Sequence, residues 1–174
     1  MHLFLSKLFD LKLFFLFGLL FLTCKPGFSQ TDTTAPYKKY PTFPPIELVQ
    51  LNNQPFTKKN IKSNQASMVF YFSPECDHCK KQMDEMIKKM NDFKKIQIVL
   101  ITYQPLEQLQ KFYNDYHLSR FENIKAGRDT KFLLPPYYRI RNLPYLALYD
   151  KKGNLITTYE GNVKVQTLLK AYGK

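Results

Sequence analysis

Cysteine is scarce in this chain: Cys24, Cys76 and Cys79 are the only three among 174 residues. A fold held by several spaced disulfides is thereby excluded, and a structural zinc site, which needs four ligands, is disfavoured. Histidine is as rare, with His2, His78 and His117 alone. Acid is short as well: 14 Asp and Glu against 26 Lys and Arg leave a formal charge of +12. Such a balance can suit nucleic acid or an anionic membrane surface. The lysines are dispersed in pairs, however, as Lys38/Lys39, Lys58/Lys59, Lys80/Lys81, Lys88/Lys89, Lys94/Lys95 and Lys151/Lys152. They read as solvated faces and loop ends, so no nucleic-acid partner is expected. No internal repeat is visible. The longest apolar run, Leu13 to Leu22, is short for a membrane span of roughly 20 residues.

That run fits a secretory signal instead. Lys7 and Lys12 precede it, and Gly27-Phe28-Ser29 supplies small residues at the first and third places of a cleavage site. Residues 1–29 are therefore expected to be a signal peptide, cleaved near Ser29/Gln30. An uncleaved membrane tether is one alternative. Lipid attachment at Cys24 is another, although Phe21-Leu22-Thr23 before it is a poor lipoprotein signal. Residues 30–45, rich in Thr and Pro, read as a flexible lead-in. Residues 46–174 make one domain of ordinary size.

Within that domain the patterning alternates between strand and helix. Ile46 to Leu51 alternates as a strand does, Asn52 to Pro55 is a turn, and Phe56-Thr57 is a short return. Ala66 to Phe72 and Ile96 to Thr102 are continuous apolar runs, as in strands buried on both faces. Between them Cys79, Met83, Met86, Ile87 and Met90 recur at helical spacing. The methionines read as core packing. Pro105 suits a first helical position, with Leu106, Leu109, Phe112 and Tyr116 following. Glu122 to Ala126 is a weak edge-strand candidate. Thr130 to Tyr138 is ambiguous, because Pro135-Pro136 interrupts a helix. Tyr145 to Tyr149 and Leu155 to Tyr159 form a hairpin about Asp150 to Asn154, and Val163 to Tyr172 is an amphipathic helix.

The chemistry concentrates in Cys76-Asp77-His78-Cys79, where the apolar strand ends and the helical pattern begins. A thiol at a helix start meets unpaired backbone N–H groups and the positive end of the dipole, which favour the thiolate that attacks disulfides. Cys79, one turn later, can close a disulfide with Cys76. His78 can donate a hydrogen bond or positive charge to the Cys76 sulfur, whereas Asp77 and Glu75 disfavour a thiolate. If exposed, the carboxylates matter little after screening, so His78 and the helix start are expected to prevail modestly. The potential should fall within about −120 to −270 mV.

The order of elements resembles the thioredoxin superfamily, and within it the exported TlpA/ResA-like thiol–disulfide oxidoreductases. The resemblance covers about residues 45–172. It rests on a strand running into CxxC and a helix, on Asn142-Leu143-Pro144-Tyr145 before a late strand, and on the closing hairpin and helix. The N-terminal IELVQLNNQPF matches the extra strands of exported relatives. An α/β thioredoxin-like fold is implied, with a central mixed β-sheet flanked by helices and an N-terminal β extension. The resemblance implies Cys76 as attacking cysteine and Cys79 as resolving cysteine. It also implies a cis Pro144 that, with Leu143, forms the rim where substrate backbone pairs. No cofactor beyond a redox-active Cys76–Cys79 disulfide is implied. The implied partners are protein thiol or disulfide substrates and an upstream electron donor, in the periplasm or cell envelope. Reduction or isomerisation is the favoured direction.

Three positions depart from the family. Phe70 stands six residues before Cys76, where a buried acid relays protons, so another group or water must do so. Glu75 replaces a common Trp, and Asp84 replaces the proline that kinks the helix. A copper carrier of the same superfold would place its cysteines four apart with a well-placed downstream His, and only His117 is available here. A peroxidase pattern also fails, because Val69 stands where it needs a different residue. A non-catalytic binding module of the same fold is the remaining alternative. Arg139 and Arg141 either border the site or are exposed loop charges.

Overall fold

The computed structural model describes residues 34–174; the expected signal, its alternatives and Cys24 lie outside them. Seven strands form one mixed sheet in the order β2-β1-β5-β4-β3-β6-β7. They are β1 (Glu47–Gln50), β2 (Pro55–Thr57), β3 (Ala66–Tyr71), β4 (Ile96–Thr102), β5 (Ile124–Arg128), β6 (Tyr145–Tyr149) and β7 (Leu155–Glu160). The helices are α1 (Pro36–Lys39), α2 (Asp77–Lys88), α3 (Leu106–Asp115), α4 (Leu134–Tyr138) and α5 (Val165–Ala171). The expected α/β architecture with its β extension is present.

The apolar runs of β3 and β4 lie at the centre because both their faces are covered. They pair in parallel from Ala66↔Ile96 to Tyr71↔Ile101. On the other side of β3, β6 runs antiparallel with Phe70↔Leu146 and Tyr71↔Tyr145 in register. Since side chains alternate across a strand, β3 feeds two cores. Met68, Phe70 and Phe72 point to the face covered by α2, α3 and α5, where they meet Met83, Met86, Leu109, Phe112 and Leu168. Val69 and Tyr71 point to the opposite face, with Val99, Ile101, Leu134, Tyr138 and Tyr149.

Three expectations need correction. Residues 34–45 are docked rather than loose. The Phe43 ring lies 4.9 Å from that of Tyr149, its N–H donates to the Gly153 carbonyl at 2.9 Å, and Thr42 bridges to Asn154. Phe43 finds its partner on a sheet face, and Tyr37 packs 5.7 Å from the ring of Tyr138, so both rings lean on segments that only the folded chain supplies. The strand expected over 122–126 is instead Ile124–Arg128, and it is interior, because β1 pairs outside it through Val49↔Arg128 and Gln50↔Gly127. Pro135 and Pro136 start a helix rather than break one. They occupy the first turn of α4, where the missing N–H groups are not needed. The Asp129 carboxylate accepts from the N–H groups of Leu133 and Leu134 at 3.0 Å each.

Candidate active site

The strand-to-helix turn after β3 positions the two cysteines. Phe72 extends the ladder by donating to the Ile101 carbonyl at 2.9 Å, and Cys76 N–H closes the turn onto the Ser73 carbonyl at 3.1 Å. Cys76 is the N-cap of α2, with extended φ −78° and ψ 117°. Its carbonyl accepts the first helical bond, from Lys80 at 3.0 Å. The sulfur makes no capping hydrogen bond, so it is not spent on the helix end.

The two thiols, both free, sit in different surroundings. Cys76 is half-buried, whereas Cys79 is 0% exposed, lying in the apolar cluster with Met83, Met86 and Phe72. Burial pushes the Cys79 thiol well up, and its hydrogen bond with Cys76 and that group's charge push the same way. A backbone hydrogen bond from Ser73 opposes them. Cys79 is therefore a protonated thiol within reach of the Cys76 sulfur.

The charged neighbours disperse. Asp77 is almost fully exposed and pairs with Lys80 at 3.7 Å, a contact worth little in water. Glu75 lines a groove of about 520 Å³ between α2 and α3, together with Pro74, Lys80, Asp84, Lys111 and Arg120. His117 also lines this groove, as an exposed residue in the left-handed region at φ 49°. The ring hydrogen bond that His78 makes goes to the Asn162 side chain, at 3.1 Å from Nδ1, where a contact to the Cys76 sulfur was expected.

Pro144 immediately precedes β6, whose first residue, Tyr145, pairs with Tyr71 at the end of β3. The Leu143–Pro144 peptide is cis. Pro144 is buried and Leu143 half-buried, and the Pro144 carbonyl accepts from Gly161 N–H at 2.8 Å. Phe70, at the position where the resemblance implied a buried acid, is fully buried with its ring 5.5 Å from that of Phe72. Asp129 is the buried carboxylate among the described residues, but it is engaged at the start of α4. Arg139 and Arg141 are exposed on the α4–β6 connection.

Two polar residues of the site went unrecognised in the sequence. Gln82 is 1% exposed; its amide donates to the Val163 carbonyl at 3.1 Å and accepts from Val163 N–H at 2.7 Å. Asn162 donates to the His78 carbonyl at 2.6 Å. Gln82 carried a signal, a polar side chain next to the apolar stripe of α2. Asn162 carried none, since it is 84 residues from its partner.

A central strand that leads through a short turn into CxxC at a helix start, with a cis proline immediately before the neighbouring strand, is the arrangement of a thioredoxin-like fold. Solved structures agree on the fold. A thiol:disulfide interchange protein of Chlorobium tepidum matches with TM-score 0.63 at 16% identity, covering 76% of this chain and 93% of its own. A secreted Mycobacterium tuberculosis disulfide oxidoreductase matches with TM-score 0.61 at 15% identity, covering 72% and 92%. The chain belongs to the AhpC/TSA family, whose profile spans residues 41–170, within the redoxin branch of the thioredoxin superfamily. A Stutzerimonas stutzeri protein named for copper binding is 25% identical over 128 residues; these cover 69% of this chain and 61% of that relative's length.

Proposed function

We propose that this protein is an exported thiol–disulfide oxidoreductase acting on protein substrates of the cell envelope through Cys76 and Cys79. The observation that carries the reading is the contrast within the pair: Cys76 half-exposed at the head of α2, and Cys79 buried behind it as a thiol. Cys76, as a thiolate, attacks one sulfur of a substrate disulfide. That S–S bond breaks, a mixed disulfide forms, and the released substrate sulfur takes up a proton. Cys79 then loses its proton and attacks the Cys76 sulfur. The second substrate thiol departs, and the Cys76–Cys79 disulfide remains. Two electrons have passed to the substrate, and an upstream dithiol donor restores the pair. Leu143 and Pro144 supply the rim on which substrate backbone lies. The neighbour described as an interchange protein supports the chemistry, and the one described as a secreted disulfide oxidoreductase supports the chemistry and the location.

The test is dithiothreitol-dependent reduction of insulin. The mature protein should accelerate it, and Cys76→Ser should abolish the acceleration. A folded protein with two free thiols and no acceleration would overturn the reading. The relative named for copper binding favours a second reading, a copper carrier using the same sulfurs. Copper titration of the reduced protein separates the two, since a carrier binds stoichiometrically and reduces no insulin.

A further inference from the structure

Three consecutive residues of the β7–α5 connection join the CxxC helix to the proline loop. Gly161 N–H donates to the Pro144 carbonyl at 2.8 Å. Asn162 meets His78 through both ends of its amide. Val163 exchanges two hydrogen bonds with the buried Gln82, one helical turn beyond His78. The segment ties α2, at His78 and Gln82, to Pro144 and fixes the orientation of each polar group it touches.

The amide of Asn162 cannot be turned round. Its Nδ2 must donate to the His78 carbonyl, because a carbonyl only accepts. Its Oδ1 therefore faces the imidazole, 3.1 Å from Nδ1. An amide oxygen accepts and does not donate, so Nδ1 must carry the hydrogen. In the neutral ring, Nε2 is then the nitrogen without a hydrogen. We infer that Asn162 is a positioning residue that holds His78 as its Nδ1–H tautomer and, through that ring, sets the potential of the adjacent dithiol. The tautomer stands on geometry alone; its effect on the potential rests on the oxidoreductase reading proposed above.

Two readouts test this on the mature protein. Long-range ¹H–¹⁵N correlation spectra at a pH where the ring is neutral should show His78 with its hydrogen on Nδ1. Asn162→Ala should lose that signature, and Asn162→Asp, which keeps the acceptor, should retain it. Redox titration against glutathione supplies the second readout. Asn162→Ala should shift the dithiol equilibrium constant by about threefold or more, the effect of one net hydrogen bond, or about 14 mV at 29.6 mV per tenfold. In a His78→Ala background the same substitution should shift it by less than about twofold. An Nε2–H tautomer in the parent protein would overturn the inference. So would an equal shift in both backgrounds, which would mean that Asn162 acts on the helix and not through His78. Failure of insulin reduction with the Nδ1–H signature intact would count against the oxidoreductase reading alone.

Discussion

Cys76 and Cys79 stand one helical turn apart, but one borders water and the other borders methionine. Cys76 as N-cap lies beside the unpaired N–H groups of the first turn, and Cys79 points into the core. Burial is the first cause of the raised Cys79 thiol, so near neutral pH this group is protonated and shielded. Reaction with iodoacetamide follows the exposed thiolate. Mass spectrometry after brief alkylation near neutral pH should find label on Cys76 at least about tenfold ahead of Cys79. Equal labelling would mean that Cys79 is not enclosed as described. The difference in surroundings was legible in the sequence, because the apolar period of the helix includes Cys79 and leaves Cys76 at its mouth; the roles of the two sulfurs came from the family resemblance. The partner of His78 was not legible. Asn162 is remote in the chain, and nothing local marks it.

At the scale of elements, β5 shows how a weak sequence signal becomes an interior strand. Ile124–Arg128 carries Gly127, whose lack of a side chain lets β1 approach. A Cβ at this position would lie 2.8 Å from the Leu48 Cβ and 3.3 Å from the Val49 carbonyl. Neither atom can rotate away, since one is fixed to its own backbone and the other belongs to it. Gly127→Ala should therefore force β1 off β5 and destabilise the fold by about 1–3 kcal/mol. Urea unfolding followed by circular dichroism measures this; an unchanged midpoint would show that the β1–β2 hairpin shifts freely. The strands β3, β4 and β6 were readable because their apolar runs are long and double-sided. The position of β5 between β1 and β4 was not readable, since edge or interior depends on which strand pairs outside it.

At the scale of the whole molecule, the core on the sheet face opposite α2 includes four buried tyrosines, Tyr71, Tyr138, Tyr145 and Tyr149. Tyr138 and Tyr149 share a hydroxyl–hydroxyl hydrogen bond of 2.5 Å, and the ring of Tyr138 lies 4.9 Å from that of Tyr145. Burial raises the pKa of Tyr71, Tyr138, Tyr145, Tyr149 and Tyr172. The sign of the pH effect follows. The unfolded chain loses a cysteine proton near 8.5 and tyrosine protons near 10, while the folded chain keeps them to higher pH. Over that interval the native state binds more protons than the unfolded state, so stability falls as pH rises. These groups leave stability untouched below about pH 8 and lower it progressively from about pH 8.5 to 11. Urea midpoints across that range should fall, with tyrosinate absorbance of these residues appearing only as the protein unfolds. Tyrosinate absorbance from all of them in the folded state would contradict their burial.

What the sequence determined alone was local and periodic. A run of apolar residues cannot be left in water, a helical stripe must find a face, and two cysteines three apart at a helix start can close on each other. Those constraints act over a few residues, so the central strands, α2 and the dithiol could be read directly. The tertiary structure decided what depends on distant segments meeting. It docked residues 34–45 onto Tyr149, placed β5 inside the sheet, turned Pro135-Pro136 into a helix start under Asp129, and brought Asn162 to His78. In each case the deciding contact joins groups whose proximity exists only after the chain has folded.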